Sequence, residues 1–133
     1  MNIEKIEGIG PSYAQKLRVA GIRTTEGLLK AGATSKGRDE ICDKCRIGHS
    51  LVLEWVNLAD LMRVKGVGEE YSDLLEEAGV DTVKELRNRN SANLHQSILK
   101  TNEEKSLVRK IPSEKQVSGW INQAKSLPPI VTY

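Results

Sequence analysis

The chain has 133 residues, of which 38% are apolar and 29% charged, a composition typical of globular proteins and unlike that of disordered or membrane proteins. Its 20 basic and 18 acidic residues leave a formal net charge of only +2, so any affinity for nucleic acid has to arise from local charge placement. No apolar run approaches the roughly 18 residues needed to span a bilayer, and the first residues lack the layout of a signal peptide, so we expect a cytoplasmic protein.

The sequence contains an internal repeat. Residues 6–17 recur 58 positions later as residues 64–75, and each segment carries a Gly-apolar-Gly triplet. A second block, residues 55–59, returns as residues 120–124 at a shift of 65, so the later copy contains additional residues between the two blocks. The repeat predicts a tandem architecture.

We therefore predict an all-α protein made of two pseudo-symmetric units, residues 1–60 and residues 61–133, packed together as one compact body. No stretch alternates apolar and polar residues for long enough to demand a strand.

The first copy is predicted to consist of short helices joined by glycine turns. Tyr13, Leu17 and Ala20 are spaced to line the core face of the helix that follows the first triplet. Gly21 comes directly after that helix, where a glycine adopts the left-handed conformation at little steric cost. A threonine then caps a second helix, which we expect to run to about Ala31.

Two more helices are predicted before the second triplet. Thr34 or Ser35 is suited to cap a helix that runs through Cys45, and Ser50 begins another that carries Trp55. Trp55 occupies the repeat position of a second tryptophan, and we assign both to core packing or to a contact between the two copies rather than to base stacking.

The second copy is predicted to repeat the pattern and to add a longer end. Gly79 closes the helix after the second triplet, and the next helix is expected to run to about Arg89. A helix then opens at Ser91, and the last one starts near Ser113 and stops before Pro128.

Cys42, Cys45 and His49 have a spacing that invites a metal-binding interpretation. A zinc site needs about four ligands in tetrahedral geometry, and the only other histidine is the distant His95. We instead expect buried or half-buried thiols kept reduced in the cytoplasm, and no metal or cofactor.

Gly8, Ile9 and Gly10 form the first triplet, and Pro11 follows it in the position of a first helical residue. Glycines bend the backbone sharply and leave its N–H groups uncovered, while Ile9 is placed to anchor the turn in the core. The next helix then directs its positive end outward, where an anion such as a DNA phosphate is a natural ligand.

These triplets resemble the helix-hairpin-helix modules of DNA-repair and recombination proteins, which hold the sugar-phosphate backbone without reading sequence. Over its whole length the chain resembles an uncharacterised bacterial family catalogued as domain of unknown function 4332, whose two units are similar to SAM-like helical folds. The first resemblance implies phosphate binding, and the second implies the fold but no biochemical role.

Local charges distinguish the two copies. The basic residues near the first triplet that we assign to nucleic-acid binding, together with Gly8, Ile9 and Gly10, are Lys5, Lys16 and Arg18. Acidic residues follow the second triplet instead: Glu69, Glu70, Asp73, Glu76 and Glu77. Because carboxylates at a helix N-terminus repel a phosphate, we assign a structural role to Gly66, Val67 and Gly68.

The sequence thus predicts a non-catalytic, sequence-independent DNA-binding accessory protein, with single- or double-stranded DNA as the partner and no membrane contact. The alternative is a protein-interaction or self-association module, favoured by the near-neutral charge and the acidic second triplet. An enzyme is not indicated, since no nucleophile elbow, lysine-bearing phosphate loop or suitable carboxylate pair occurs. A small-ligand site between the two copies is a further, weaker option.

Overall fold

The computed structural model describes residues 1–133 and shows an all-α protein, which confirms the predicted fold class. Eight α-helices and one 3-10 turn are present, and the only β-type pairing is an isolated bridge between Asn2 and Thr24. None of the helices combines the length and the apolar composition that crossing a bilayer requires.

The chain divides into two compact units, residues 1–60 with 130–133, and residues 61–129. The last four residues therefore lie with the first unit, whereas the division made from sequence places them with the second.

The helices follow one another with short connections. The first unit contains the 3-10 turn Ile3–Lys5 and α1 Pro11–Val19, α2 Thr25–Ala31, α3 Ser35–Cys45 and α4 His49–Leu61, whose final residue begins the second unit. The second unit contains α5 Glu69–Glu77, α6 Val83–Leu86, α7 Ser91–Lys105 and α8 Glu114–Ser126.

The backbone repeats with the sequence. Helices α1 and α5 have nine residues each and begin at positions that differ by the repeat shift of 58. Gly8 and Gly66 have φ of +93° and +92°, and Gly21 and Gly79 have φ of +87° and +99°. The prediction of left-handed glycines after α1 and α5 is confirmed.

Side-chain oxygens cap most of the helices, and Thr34 is the predicted cap of α3. The capping residues, each accepting a hydrogen bond from a backbone N–H in the first turn of its helix, are Thr24, Thr34, Thr82, Asn90 and Ser113. Ser113 and Gln116 form a reciprocal capping box at the start of α8. Gly10 and Gly68, which precede α1 and α5, offer no side chain for this purpose.

Helix α6 ends at Leu86, earlier than the predicted end at Arg89. The N–H of Arg89 donates to the carbonyl of Leu86 at 3.1 Å, a three-residue spacing that tightens the chain into a turn. Asn90 then takes the extended conformation needed to cap α7, so the helical run cannot continue through it.

Each unit buries its own apolar residues. In the first unit the most deeply buried large side chains include Ile3, Ile6, Leu17, Leu28 and Trp55. The corresponding core of the second unit includes Leu74, Leu75, Leu94, Ile98 and Trp120. Both tryptophans are therefore core residues, as predicted, although each also lies beside a glycine turn.

Arg38 attaches the end of the chain to the first unit. Its buried guanidinium donates to the carbonyls of Gly32 at 2.8 Å, Ala33 at 3.2 Å and Thr132 at 2.6 Å. The N–H of Thr132 in turn donates to the carbonyl of Ala33 at 2.8 Å. These contacts explain why residues 130–133 belong to the first unit.

Candidate nucleic-acid interface

The first glycine turn, Gly8-Ile9-Gly10, joins the short 3-10 segment to α1. Gly8 is exposed and left-handed, while Ile9 is buried and its N–H donates to the carbonyl of Ile6 at 3.1 Å. Gly10 is extended, with φ of −85° and ψ of −174°, and serves as the N-cap of α1. The turn is thus anchored in the core by Ile9 and presents both glycines to solvent.

Helix α1 begins with free backbone donors at the first glycine turn. Its first helical hydrogen bond runs from the N–H of Ala14 to the carbonyl of Gly10 at 2.9 Å. Pro11 has no N–H, so the N–H groups of Ser12 and Tyr13 are left without an acceptor in the chain. Because no side chain caps them, these two donors are open to an anion.

The second glycine turn, Gly66-Val67-Gly68, has the same backbone but different neighbours. Its first helical hydrogen bond, from Ser72 to Gly68, matches that of the first turn at 2.9 Å. The first turn of α5, however, contains two carboxylates, whereas the first turn of α1 contains none. Those carboxylates supply negative charge at this end of α5, which disfavours an anion there.

Lys16 lies in the last turn of α1, three residues after Tyr13 in the first turn. Its side chain is exposed, and Nζ lies 5.8 Å from the centre of the Tyr13 ring. Lys5 is also exposed, in the 3-10 segment before the turn. Both ammonium groups are thus available to a ligand in solvent.

Arg18 is already paired, in contrast to the two lysines. Its guanidinium lies 3.2 Å from a carboxylate oxygen of Glu4 and contacts the side-chain oxygen of Asn2 at 3.4 Å. This ion pair is partly exposed, and it neutralises Glu4 within the chain. Arg18 therefore acts on the site mainly by removing the negative charge of Glu4, while the exposed Glu7 remains.

Sequence reasoning missed one polar group beside the first glycine turn. A Cβ atom built on Gly8 would lie 3.2 Å from the indole nitrogen of Trp55. The second unit reproduces this distance between Gly66 and Trp120. The sequence hints at this contact because both the tryptophan and the glycine triplet occur once in each copy of the repeat. Only the fold shows that the two lie next to each other.

The second turn has a further polar contact that holds it in place. The side-chain oxygen of Gln123 accepts from the N–H of Lys65 at 3.0 Å, and its NH₂ group donates to the carbonyl of Lys65 at 3.2 Å. Leu58 occupies the repeat position of Gln123 in the first unit and cannot make these bonds. The backbone just before the second turn is therefore satisfied within the chain.

The candidate metal ligands Cys42, Cys45 and His49 take separate roles. Both thiols are buried and free, and burial raises the pKa of each, which keeps them protonated and poor ligands. The exposed His49 ring contacts Asp39 at 3.0 Å instead.

Three carboxylates on α5 converge, with oxygens within 4.8 Å of one another: Asp73, Glu76 and Glu77. Lys105 from α7 forms an ion pair with Glu77 and supplies a positive charge to the group. A partly exposed acidic cluster balanced in this way is common on protein surfaces, and we assign it no ligand.

The sequence model of one protein family, described as Domain of unknown function (DUF4332), matches residues 7–127. The match covers most of the chain and includes both glycine turns and both tryptophans, so the protein belongs to this family. Among curated proteins and among solved structures, none matches this chain.

Proposed function

We propose that this protein is a non-catalytic accessory protein that binds DNA without reading its sequence, through backbone phosphates held at the first glycine turn. One observation carries the proposal: α1 begins at an uncapped glycine, with free N–H donors and no carboxylate in its first turn. Cytoplasmic location and the absence of a cofactor are parts of the same proposal.

The chemistry of the turn fits a phosphate oxygen. Free N–H groups at a helix N-terminus carry partial positive charge, and they donate hydrogen bonds to an acceptor-only group. Exposed Lys5 and Lys16 add electrostatic attraction that does not depend on base sequence. With about two phosphates neutralised by these lysines, the logarithm of the binding constant should fall with the logarithm of salt concentration with a slope of about −1.8.

The test measures anisotropy of fluorescent single- and double-stranded DNA of mixed sequence at low and at physiological salt. The informative variant is Pro11→Glu with Ser12→Glu, which gives α1 the acidic start that α5 already has and so leaves the helix compatible with the fold. We expect at least about a tenfold loss of DNA affinity, since each added charge disfavours an anion at this end of the helix.

A matched control replaces the same two positions with glutamine, which has a similar size and no charge. The control should bind DNA nearly as well as the parent protein, and circular dichroism should be the same for all three. Equal affinity of the parent and the glutamate variant would exclude the first glycine turn as the contact. Absence of binding even at low salt would exclude the DNA proposal as a whole.

The alternative proposal is a protein-interaction or self-association module. Acidic helix α5, with two carboxylates in its first turn and three more that follow, favours a basic partner segment. The large apolar side chains left exposed are few: Met1, Val19, Ile111 and Tyr133. Light scattering coupled to size-exclusion chromatography tests self-association, and a single monomer mass at high concentration would exclude that version of the alternative.

A further inference from the structure

We propose that the indole N–H of Trp55 is a hydrogen-bond donor to the phosphate held at the first glycine turn. The inference rests on the proposed function, because the ligand is taken to be a phosphodiester. It adds a side chain that lies 47 positions after Gly8 in the sequence to a site otherwise made of local backbone.

The indole nitrogen is the one polar atom of an almost completely buried side chain. Trp55 is 1% exposed, and its N–H donates to no other atom of the chain. No buried side-chain nitrogen or oxygen lacks a partner, so this nitrogen must reach the molecular surface. A tryptophan N–H usually finds an acceptor when its ring is buried, and here the acceptor has to come from outside.

The position of the nitrogen points to the phosphate site. A Cβ on Gly8 would lie 3.2 Å from it, so the nitrogen is next to the exposed backbone of the turn. The Trp55 ring also packs edge-on against Tyr13, with 5.0 Å between ring centres, and Tyr13 lies in the first turn of α1. The indole N–H therefore lies beside the turn that leads directly into the free N–H groups of α1.

Gly8 is required at this surface for two separate reasons. Its φ of +93° lies in the left-handed region that other residues rarely adopt. A side chain at the same position would also cover the indole nitrogen. Glycine thus satisfies the backbone and leaves the indole donor accessible.

The donors define the chemistry of the ligand. Backbone N–H groups, an indole N–H and the ammonium group of Lys16 all donate and none accepts. A phosphodiester offers unprotonated oxygens and negative charge on every nucleotide, which matches this set independently of base sequence. Inorganic phosphate presents the same oxygens, so the test needs to separate the two sources.

The second unit provides an internal control. Trp120 has the same relation to Gly66, with the same 3.2 Å to a Cβ built there, and it packs against Tyr71 with 5.3 Å between ring centres. Glu69 and Glu70 occupy the first turn of α5, where they repel an anion. We expect the Trp120 indole to remain without a phosphate partner.

The experiment observes the two indole N–H resonances of the full chain by ¹H–¹⁵N NMR, assigned from Trp55→Phe and Trp120→Phe variants. Separate titrations add mixed-sequence DNA, inorganic phosphate, and sodium chloride at matched ionic strength. We expect DNA to move the Trp55 indole proton downfield in a saturable manner while the Trp120 resonance stays in place. Sodium chloride should move neither.

The outcomes separate this inference from the proposed function. DNA binding by anisotropy with an unmoved Trp55 resonance would overturn the inference and leave the proposed function standing. A saturable Trp55 shift with phosphate but no DNA binding would retain the site and overturn the DNA proposal. If neither ligand binds, both proposals are wrong.

The variants give a second readout. Trp55→Phe removes the N–H and should weaken DNA binding about tenfold, the size expected for a hydrogen bond to a charged group. Trp120→Phe, the matched control, should leave the affinity unchanged. Thermal unfolding of both variants shows whether loss of the larger ring, rather than loss of the donor, explains any change.

Discussion

The two glycine turns have nearly the same backbone conformation, but the helices that follow them begin with residues of different charge. Gly8 and Gly66 differ by one degree in φ, and a tryptophan nitrogen lies equally close to each. Helix α1, which follows the first turn, starts with Pro11, whereas α5, which follows the second, starts with Glu69. Under the proposed function, the same backbone geometry offers N–H donors to an anion at both turns, and the flanking side chains decide which turn binds one.

The turns also differ in the hydrogen bonds made by the residue that precedes each of them. Gln123 bonds both backbone groups of Lys65, while Leu58 at the repeat position of the first unit is buried and apolar. These bonds hold the residue before the second turn within its own unit. The N–H groups at the start of both α1 and α5 nevertheless stay uncapped, so the acidic residues of α5 are the difference that matters for an anion.

The largest expected effect comes from deleting either tryptophan ring. Trp55→Ala and Trp120→Ala should each lower the free energy of unfolding by about 3–5 kcal/mol, because each removes a buried aromatic side chain and leaves a cavity. Urea unfolding followed by circular dichroism measures both. A loss below about 1 kcal/mol for one of them would show that the two rings are not equivalent in the core.

Replacing the two acidic residues at the start of α5 should allow the second glycine turn to bind phosphate as well. Glu69→Pro with Glu70→Ser gives the second helix the start of the first, and we expect about a tenfold gain in affinity for DNA as the repulsion is removed. The control is Glu69→Gln with Glu70→Gln, which removes the charge alone. Unchanged affinity in both variants would mean that charge does not distinguish the turns.

Removing the hydrogen bonds between Gln123 and Lys65 should destabilise the second glycine turn and leave the first unchanged. Gln123→Leu copies the residue at the repeat position and should lower the free energy of unfolding by about 1 kcal/mol, the net value of a typical hydrogen bond. Hydrogen exchange of the Lys65 amide should become faster, while the Glu7 amide should be unaffected. An equally slow Lys65 amide in the variant would show that Gln123 does not protect it.

The smallest effect concerns Asp81, whose repeat position in the first unit is Arg23. Burial, followed by repulsion from Glu85, raises the pKa of Asp81 above its ordinary value of 3.8. An acid with a raised pKa in the folded state contributes stability at low pH that is lost as the pH rises through that value. Asp81→Asn should therefore slightly stabilise the protein at neutral pH, as thermal unfolding across the acidic range can measure. A variant less stable than the parent at pH 7 would contradict this sign.

Local signals in the sequence determined most of the secondary structure. Glycine at the end of a helix, a capping oxygen at its start and apolar spacing within it are properties of a few neighbouring residues, so they can be recognised without a fold. Thr34 and Ser113 cap the helices predicted from them, Gly21 and Gly79 are left-handed, and Ile9 is buried under its turn. The helical spacing within each copy and the lack of alternating stretches made the all-α class predictable.

Only the tertiary structure decided which polar side chains have a partner within the chain. The pairing of Arg18 with Glu4, and the position of the Trp55 nitrogen beside Gly8, join residues that are separated in sequence. Arg38 likewise bonds to Thr132, which assigns the end of the chain to the first unit. Contacts of this kind depend on how helices pack, whereas local sequence patterns specify only where each helix begins, which face it buries and where it ends.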